Sequence, residues 1–265
     1  MNTVALGWDR TLIELKQYIR EKESVFFSFT FPILLLVLFA TIFSGQFADA
    51  GPGMSAARFF LPGMISAGVL LTSFQTMAMS VATERDDGTL KRLRSTPMPP
   101  AAYFLGKVGL VLITSLAQLA VLLAVARLAY DVALPADAGR WWTLAWVFVL
   151  GIFGGVVLGI AWSSLATARS AGAVVIAPVL VLQFISGVYF QFTSIPHWLQ
   201  SIASVFPLKW VAQGMRSVFL PDAMASEEMA GSWELGRTAL VLGAWAVAGL
   251  VICLTTFRWY KRGTT

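Results

Sequence analysis

The side chains that most often do chemistry are scarce in this chain. It has one histidine, His197, and one cysteine, Cys253, so it offers no His-rich or thiolate metal site and no internal disulfide. His197 stands between Pro196 and Trp198, which fits neither an H-E-x-x-H motif nor a Ser–His dyad at membrane depth. Gly106-Lys107 is followed by Val108 rather than by the serine or threonine of a phosphate-binding loop. Glu227-Glu228 is a carboxylate pair, yet no histidines or arginine succeed it at helical spacing. No catalysis is expected from this inventory.

The chemistry that remains is polar recognition. ERDDGTLKRLRSTPMPPAAYFLGK, residues 84–107, is the most charged segment. Asp86, Asp87 and Gly88 form a turn that can cap a following helix. Leu90 and Leu93 share one face of that helix, with Lys91, Arg92 and Arg94 on the rest. Thr96-Pro97 ends it, and Pro99-Pro100 stiffens the approach to the next span. A loop that only fixed topology would need the basic residues alone. The acidic turn, paired leucines and prolines suit a rigid knuckle docking into a groove on a cytoplasmic protein.

The surrounding elements are membrane helices. Of 265 residues, 57% are apolar and 12% charged, against roughly 25% charged in an ordinary soluble domain; the mean hydropathy is +0.74. Six runs lack Asp, Glu, Lys and Arg: Val25–Phe47, Phe59–Thr83, Val108–Ala126, Trp141–Ala168, Ala171–Phe192 and Thr238–Phe257. Each is long enough to cross a bilayer as a helix. Their lack of ionisable groups argues against gradient-coupled carriers, voltage sensors and charged channel filters.

Orientation comes from the basic residues. Arg10, Lys16, Arg20 and Lys22, the five in 84–107, Arg169, and Arg258, Lys261 and Arg262 put thirteen of the 19 lysines and arginines on one side. That side is expected to be cytoplasmic and to hold both termini. The net charge of +5 is thereby assigned to topology, not to nucleic acid. Ala48-Asp49-Ala50 resembles a leader cleavage site, but the apolar run before it is too long, so the first span is expected to be retained.

Two further elements are expected. In residues 1–24, Trp8, Leu12, Leu15 and Ile19 have helical spacing, with Arg10, Glu14, Lys16, Gln17, Arg20 and Glu21 mostly on other faces. This reads as an interfacial cytoplasmic helix, an anchor or a partner contact. In the outside connection, Ile195, Trp198, Leu199 and Ile202, and then Leu208, Val211, Ala212, Met215 and Val218, predict two short helices separated at Pro207. Gln75, Gln118 and Gln183 fall mid-span, where an amide either bonds a neighbouring helix, worth about 1 kcal/mol, or lines a wet path.

Two segments resemble the permease subunits of ABC-2 type transporters: E-R-D-D-G-T-L-K-R-L-R-S-T-P with Gly106-Lys107, and S-G-V-Y-F…I-P-H-W-L-Q…F-P-L-K-W…M-R from Ser186 to Arg216. The resemblance covers essentially the whole chain as a single transmembrane domain: an N-terminal helix (1–24), six spans (25–257) and a tail (258–265). It departs at Gln191, where relatives often carry proline. It implies an all-α fold in the inner or plasma membrane and a dimer of permeases, homo- or heteromeric. Each copy would pair with an ABC ATP-binding subunit, and ATP and Mg would bind there rather than here. Glu84, Arg85, Asp86, Gly88, Thr89, Leu90, Leu93, Arg94 and Pro97 would form the ATPase-coupling element, and Trp8, Leu12, Leu15 and Ile19 the clasp beside it. Spans two and five would line the substrate path, placing Phe74, Gln75, Gln183, Phe184 and Tyr189 there. The S-G-V…I-P-x-W-L form is similar to the daunorubicin-resistance branch, which implies export of an apolar or amphipathic drug, antibiotic or lipid. Lipid-linked polysaccharide or glycolipid export is the alternative within transport. A secondary carrier or membrane-embedded enzyme is the alternative outside it.

Overall fold

The computed structural model describes residues 2–47 and 53–257; Ala48-Asp49-Ala50 and the basic tail from Arg258 lie outside them. Every regular element among the described residues is helical. The elements are α1 (Thr3–Arg20), α2 (Lys22–Ile42), α3 (Ala56–Asp86), α4 (Thr89–Arg94), α5 (Pro100–Tyr130) and α6 (Ala138–Trp162). After them come α7 (Gly172–Ile185), α8 (His197–Ala203), α9 (Pro207–Phe219) and α10 (Leu235–Thr256). Within this set, α2, α3, α5, α6 and α10 are long and apolar enough to cross a bilayer. The chain is a multi-pass membrane protein.

The fifth apolar run differs from a full span. It forms the 14-residue α7, about 21 Å long against a hydrocarbon core of about 30 Å. Ser186 and Gly187 end it, with Gly187 at φ +70°, a backbone that favours glycine. The apolar residues beyond, Val188, Tyr189 and Phe192, are buried inside the protein. Their hydropathy therefore reflects packing in the bundle, which composition cannot distinguish from contact with lipid.

Helix α3 is the hub, mostly buried and packed by α2, α5, α6 and α9. Midway, Leu71–Gln75 widens into a π turn. Side-chain hydroxyls reach the backbone around it: Thr76 Oγ1 donates to the Leu71 carbonyl at 2.9 Å and Thr72 Oγ1 to the Gly68 carbonyl at 2.8 Å, while Thr72 Oγ1 also meets Ser115 Oγ of α5 at 2.6 Å. Opposite the turn, α6 presents Gly155 and Gly159. A Cβ there would lie 2.0 Å from Ser73 Oγ and 2.5 Å from the Phe74 carbonyl oxygen. Small residues four apart let the two backbones touch.

The two short helices between α7 and α10 stand where the periodicity put them. Pro207 does more than separate them, since it opens α9 at a position where its missing N–H costs nothing. Leu208, Val211, Ala212, Met215 and Val218 are all buried as α9 packs against α3, α6 and α10.

Candidate functional site

At the end of the bundle carrying α1 and α4, four charged side chains meet in the interior. Lys107 of α5 is completely buried, and its ammonium has three donors. One goes to Glu14 Oε2 of α1 at 2.8 Å, one to Ser80 Oγ of α3 at 2.8 Å, and one to Glu84 Oε1 of α3. Arg10 pairs with Glu14 one turn along α1 and approaches Glu84 at 3.9 Å. Tyr103 donates to Glu84 Oε2 at 2.8 Å, and its ring lies under both cations. Two cations and two carboxylates balance, which is what allows the cluster to be buried. It ties three helices that are far apart in sequence.

This arrangement buries the polar face of α1. Arg10, Thr11, Glu14 and Tyr18 point inward, whereas Trp8, Leu12 and Ile19 are exposed and Leu15 is half-buried. Charge complementarity with α5 and α3 holds that polar face against the bundle. The apolar residues are left on the outside, facing lipid or a partner.

The segment after α3 folds as its sequence suggests, with a different outer surface. Asp87 Oδ1 accepts from Thr89 N at 2.8 Å, and Gly88 turns the chain at φ +81°. Arg85 donates to the Ser163 carbonyl at 2.6 Å, and Asp86 accepts from Ala168 N at 2.7 Å, so both residues hold the turn after α6. Leu90 is fully buried and Leu93 packs on the same core. The paired leucines therefore seat α4 on its own bundle, Leu90 completely and Leu93 in part. Lys91, Arg92, Arg94 and Pro97 form the exposed surface instead.

The five expected path residues fall into separate groups. Phe74 leaves the π turn towards Trp162, with ring centroids 6.0 Å apart. Gln75 lines a groove of about 910 Å³ with Tyr18, Phe27, Met79, Ser80 and Glu84. Gln183 is buried and accepts from the Tyr189 hydroxyl, while Phe184 is exposed with its ring 5.2 Å from that of Tyr189. Tyr189 also lines a second cavity, about 470 Å³, with Phe43, Phe47, Phe59, Phe60 and Phe190. The third mid-span amide, Gln118, donates to the Ser28 carbonyl of α2 at 2.5 Å and so bonds neighbouring helices.

Charges outside the apolar runs hold the opposite end together. Arg216 grips Glu228 through two bonds and donates to the Gly187 carbonyl at 2.9 Å. Lys209 is buried, donates to Gln213 and lies 3.7 Å from the Trp210 ring centroid. Burial pushes its ammonium down from 10.5 to about 8; Glu228 and Glu234 oppose the shift, while Arg216 and Arg237 add to it. Between those two values the unfolded chain binds the proton and the folded chain releases it, so stability rises with pH across that window. Lys209→Met is thus expected to unfold in detergent at higher denaturant than the parent at pH 7. That advantage should shrink as pH rises from 8 towards 10; an advantage constant over the range would refute the assignment.

Hydropathy misses Glu84 and Lys107 because they lie just beyond the apolar runs, inside longer helices. Lys107, eight residues into α5, is the clearest case. A basic residue within two turns of a glutamate-bearing span end is the signal that could have found it.

The family model described as ABC-2 type transporter matches residues 8–220. The chain is 24% identical over 198 residues to the probable multidrug ABC transporter permease YbhR of Escherichia coli (strain K12). That match covers 74% of this chain and 53% of YbhR, so the chain spans about half the length of that relative. It is 26% identical over 236 residues to the daunorubicin resistance ABC transporter permease protein DrrB1 of Streptomyces coeruleorubidus, covering 87% of this chain and 77% of that protein. Among the described residues, no group of three or more His, Cys, Asp or Glu side chains could hold a metal ion.

Proposed function

Since the chain belongs to the ABC-2 type transporter family, we propose that it is the membrane permease subunit of an ATP-driven exporter of an apolar or amphipathic compound. ATP and Mg bind a separate ABC subunit, which supplies the hydrolysis. The end holding α1 and α4 faces the cytoplasm of a cell whose inner membrane carries the protein. A second permease copy, identical or related, completes the path. The exposed Leu180, Val181 and Phe184 of α7 are available to that copy, and the aromatic cavity beside Tyr189 gives an apolar compound a way out. The names of the relatives support a drug as cargo.

The observation that carries this reading is the buried Arg10–Glu14–Lys107–Glu84 cluster, whose Glu84 lies on α3 close before α4 in the chain. It ties α1, the base of α3 and the start of α5 together, and Leu90 with Leu93 seats α4 on the same core, so a push on α4 reaches the spans. The exposed side of α4 is basic, so docking on the ATP-binding subunit is electrostatic and weakens with salt. Lys91→Glu with Arg92→Glu is expected to cut co-purification of the ATP-binding subunit at least about tenfold, with insertion and thermal unfolding unchanged. Stoichiometric recovery of that subunit with the double variant would sink the proposal. Leu90→Asp, in contrast, is expected to lose the fold first.

A further inference from the structure

A buried lysine normally faces a carboxylate, and Lys209 does not. Its side-chain partner is the neutral Gln213 amide, with the rings of Trp210 and Phe192 on other sides. The nearby carboxylates are engaged elsewhere: Glu228 with Arg216, and Glu234 with Arg237 at 3.1 Å. Arg237 approaches the same Trp210 ring, 5.4 Å from its centroid, so two cations converge on one indole. Both line a cavity of about 480 Å³ that also touches Ser201, Ser204 and Glu234. No side chain caps the adjoining start of the 13-residue α9, whose partial positive charge adds to theirs. The cavity thus carries two full positive charges against one carboxylate.

We infer that this cavity binds the phosphate of a membrane phospholipid between Lys209 and Arg237. The rim argues for a lipid over a soluble anion. Ile202 and Val205 are exposed apolar residues beside it. The indole of Trp245, on the spanning helix α10, donates to the Val205 carbonyl at 2.6 Å, the amphipathic placement favoured at a headgroup boundary. Arg237 stands in the first turn of α10, and the exposed Leu240 and Val247 continue along that helix, giving acyl chains a surface to track. The phosphate would accept from the Lys209 ammonium and from guanidinium N–H groups that Glu234 leaves free. The site is independent of the cytoplasmic coupling element and of what the protein transports.

The test is native mass spectrometry of the full chain in detergent, titrated separately with phosphatidylglycerol, diacylglycerol and glycerol phosphate. The parent is expected to hold phosphatidylglycerol at least about tenfold more tightly than Arg237→Gln or Lys209→Gln does, the scale of one lost charge-assisted contact. Diacylglycerol should bind the parent no better than phosphatidylglycerol binds the variants. Arg237 is largely exposed, so its variant keeps the comparison valid if Lys209→Gln fails to fold. Equal phosphatidylglycerol binding by parent and Arg237→Gln, or diacylglycerol binding that matches it, would overturn the site. Glycerol phosphate binding as tight as that of the lipid would overturn the lipid assignment.

Discussion

Replacing Lys107 with methionine is expected to destabilise the protein by about 3–5 kcal/mol, the cost of breaking a buried ion pair from one side. The fully buried ammonium directs its three donors to Glu14, Ser80 and Glu84. Its removal leaves two carboxylates with Arg10 as their remaining cation within 4 Å. Helix α1 should lift from α5, which limited proteolysis within residues 3–20 would detect beside the unfolding midpoint. The triple variant Lys107→Met, Glu14→Gln, Glu84→Gln should recover most of the stability, because no uncompensated charge remains. Transport should stay low in it, since the rigid tie between α1, α3 and α5 is still gone. A single Lys107→Met variant within about 1 kcal/mol of the parent would refute the network's structural role.

Gly63→Ala is the second large effect expected, out of proportion to one methyl group. A Cβ on Gly63 would stand 1.9 Å from the Val188 carbonyl oxygen and 2.9 Å from its carbon. Those are backbone atoms of the turn after α7, held also by Arg216 through the Gly187 carbonyl, so no side-chain rotation relieves the clash. The turn must move, and Tyr189 with its bond to Gln183 moves too. Overpacking of this kind costs about 1–3 kcal/mol and sometimes more. The control is Gly154→Ala on α6, where a Cβ meets nothing within 4 Å; there the helix should be unharmed or slightly firmer. Equal unfolding midpoints for the two variants would show that the turn is not seated on α3 as described.

Much of the architecture is legible in the residues because it is local. Five of the six uncharged runs become helices long enough to cross a bilayer. Asp87 and Gly88 announce their turn, and Pro207 places the boundary between the two short helices. The candidate site is only half legible. Glu84 and Lys107 bound one charged segment, while nothing near them in the chain points to Glu14 as their neighbour. The spacing of Leu90 and Leu93 groups them on one face, and the structure turns that face inward.

Residue order alone dictates which stretches are helices, which of them suit a membrane, and where turns and caps interrupt them. Those properties depend on residues within a few positions of each other. Packing in three dimensions settles which face of α1 is buried, that Lys107 meets a glutamate 93 residues away, and that the fifth apolar run ends early and folds back on Gly63. Each of these depends on which helices cross and at what distance. A buried charge or a touching backbone is energetically permitted only when its partner arrives from another part of the chain.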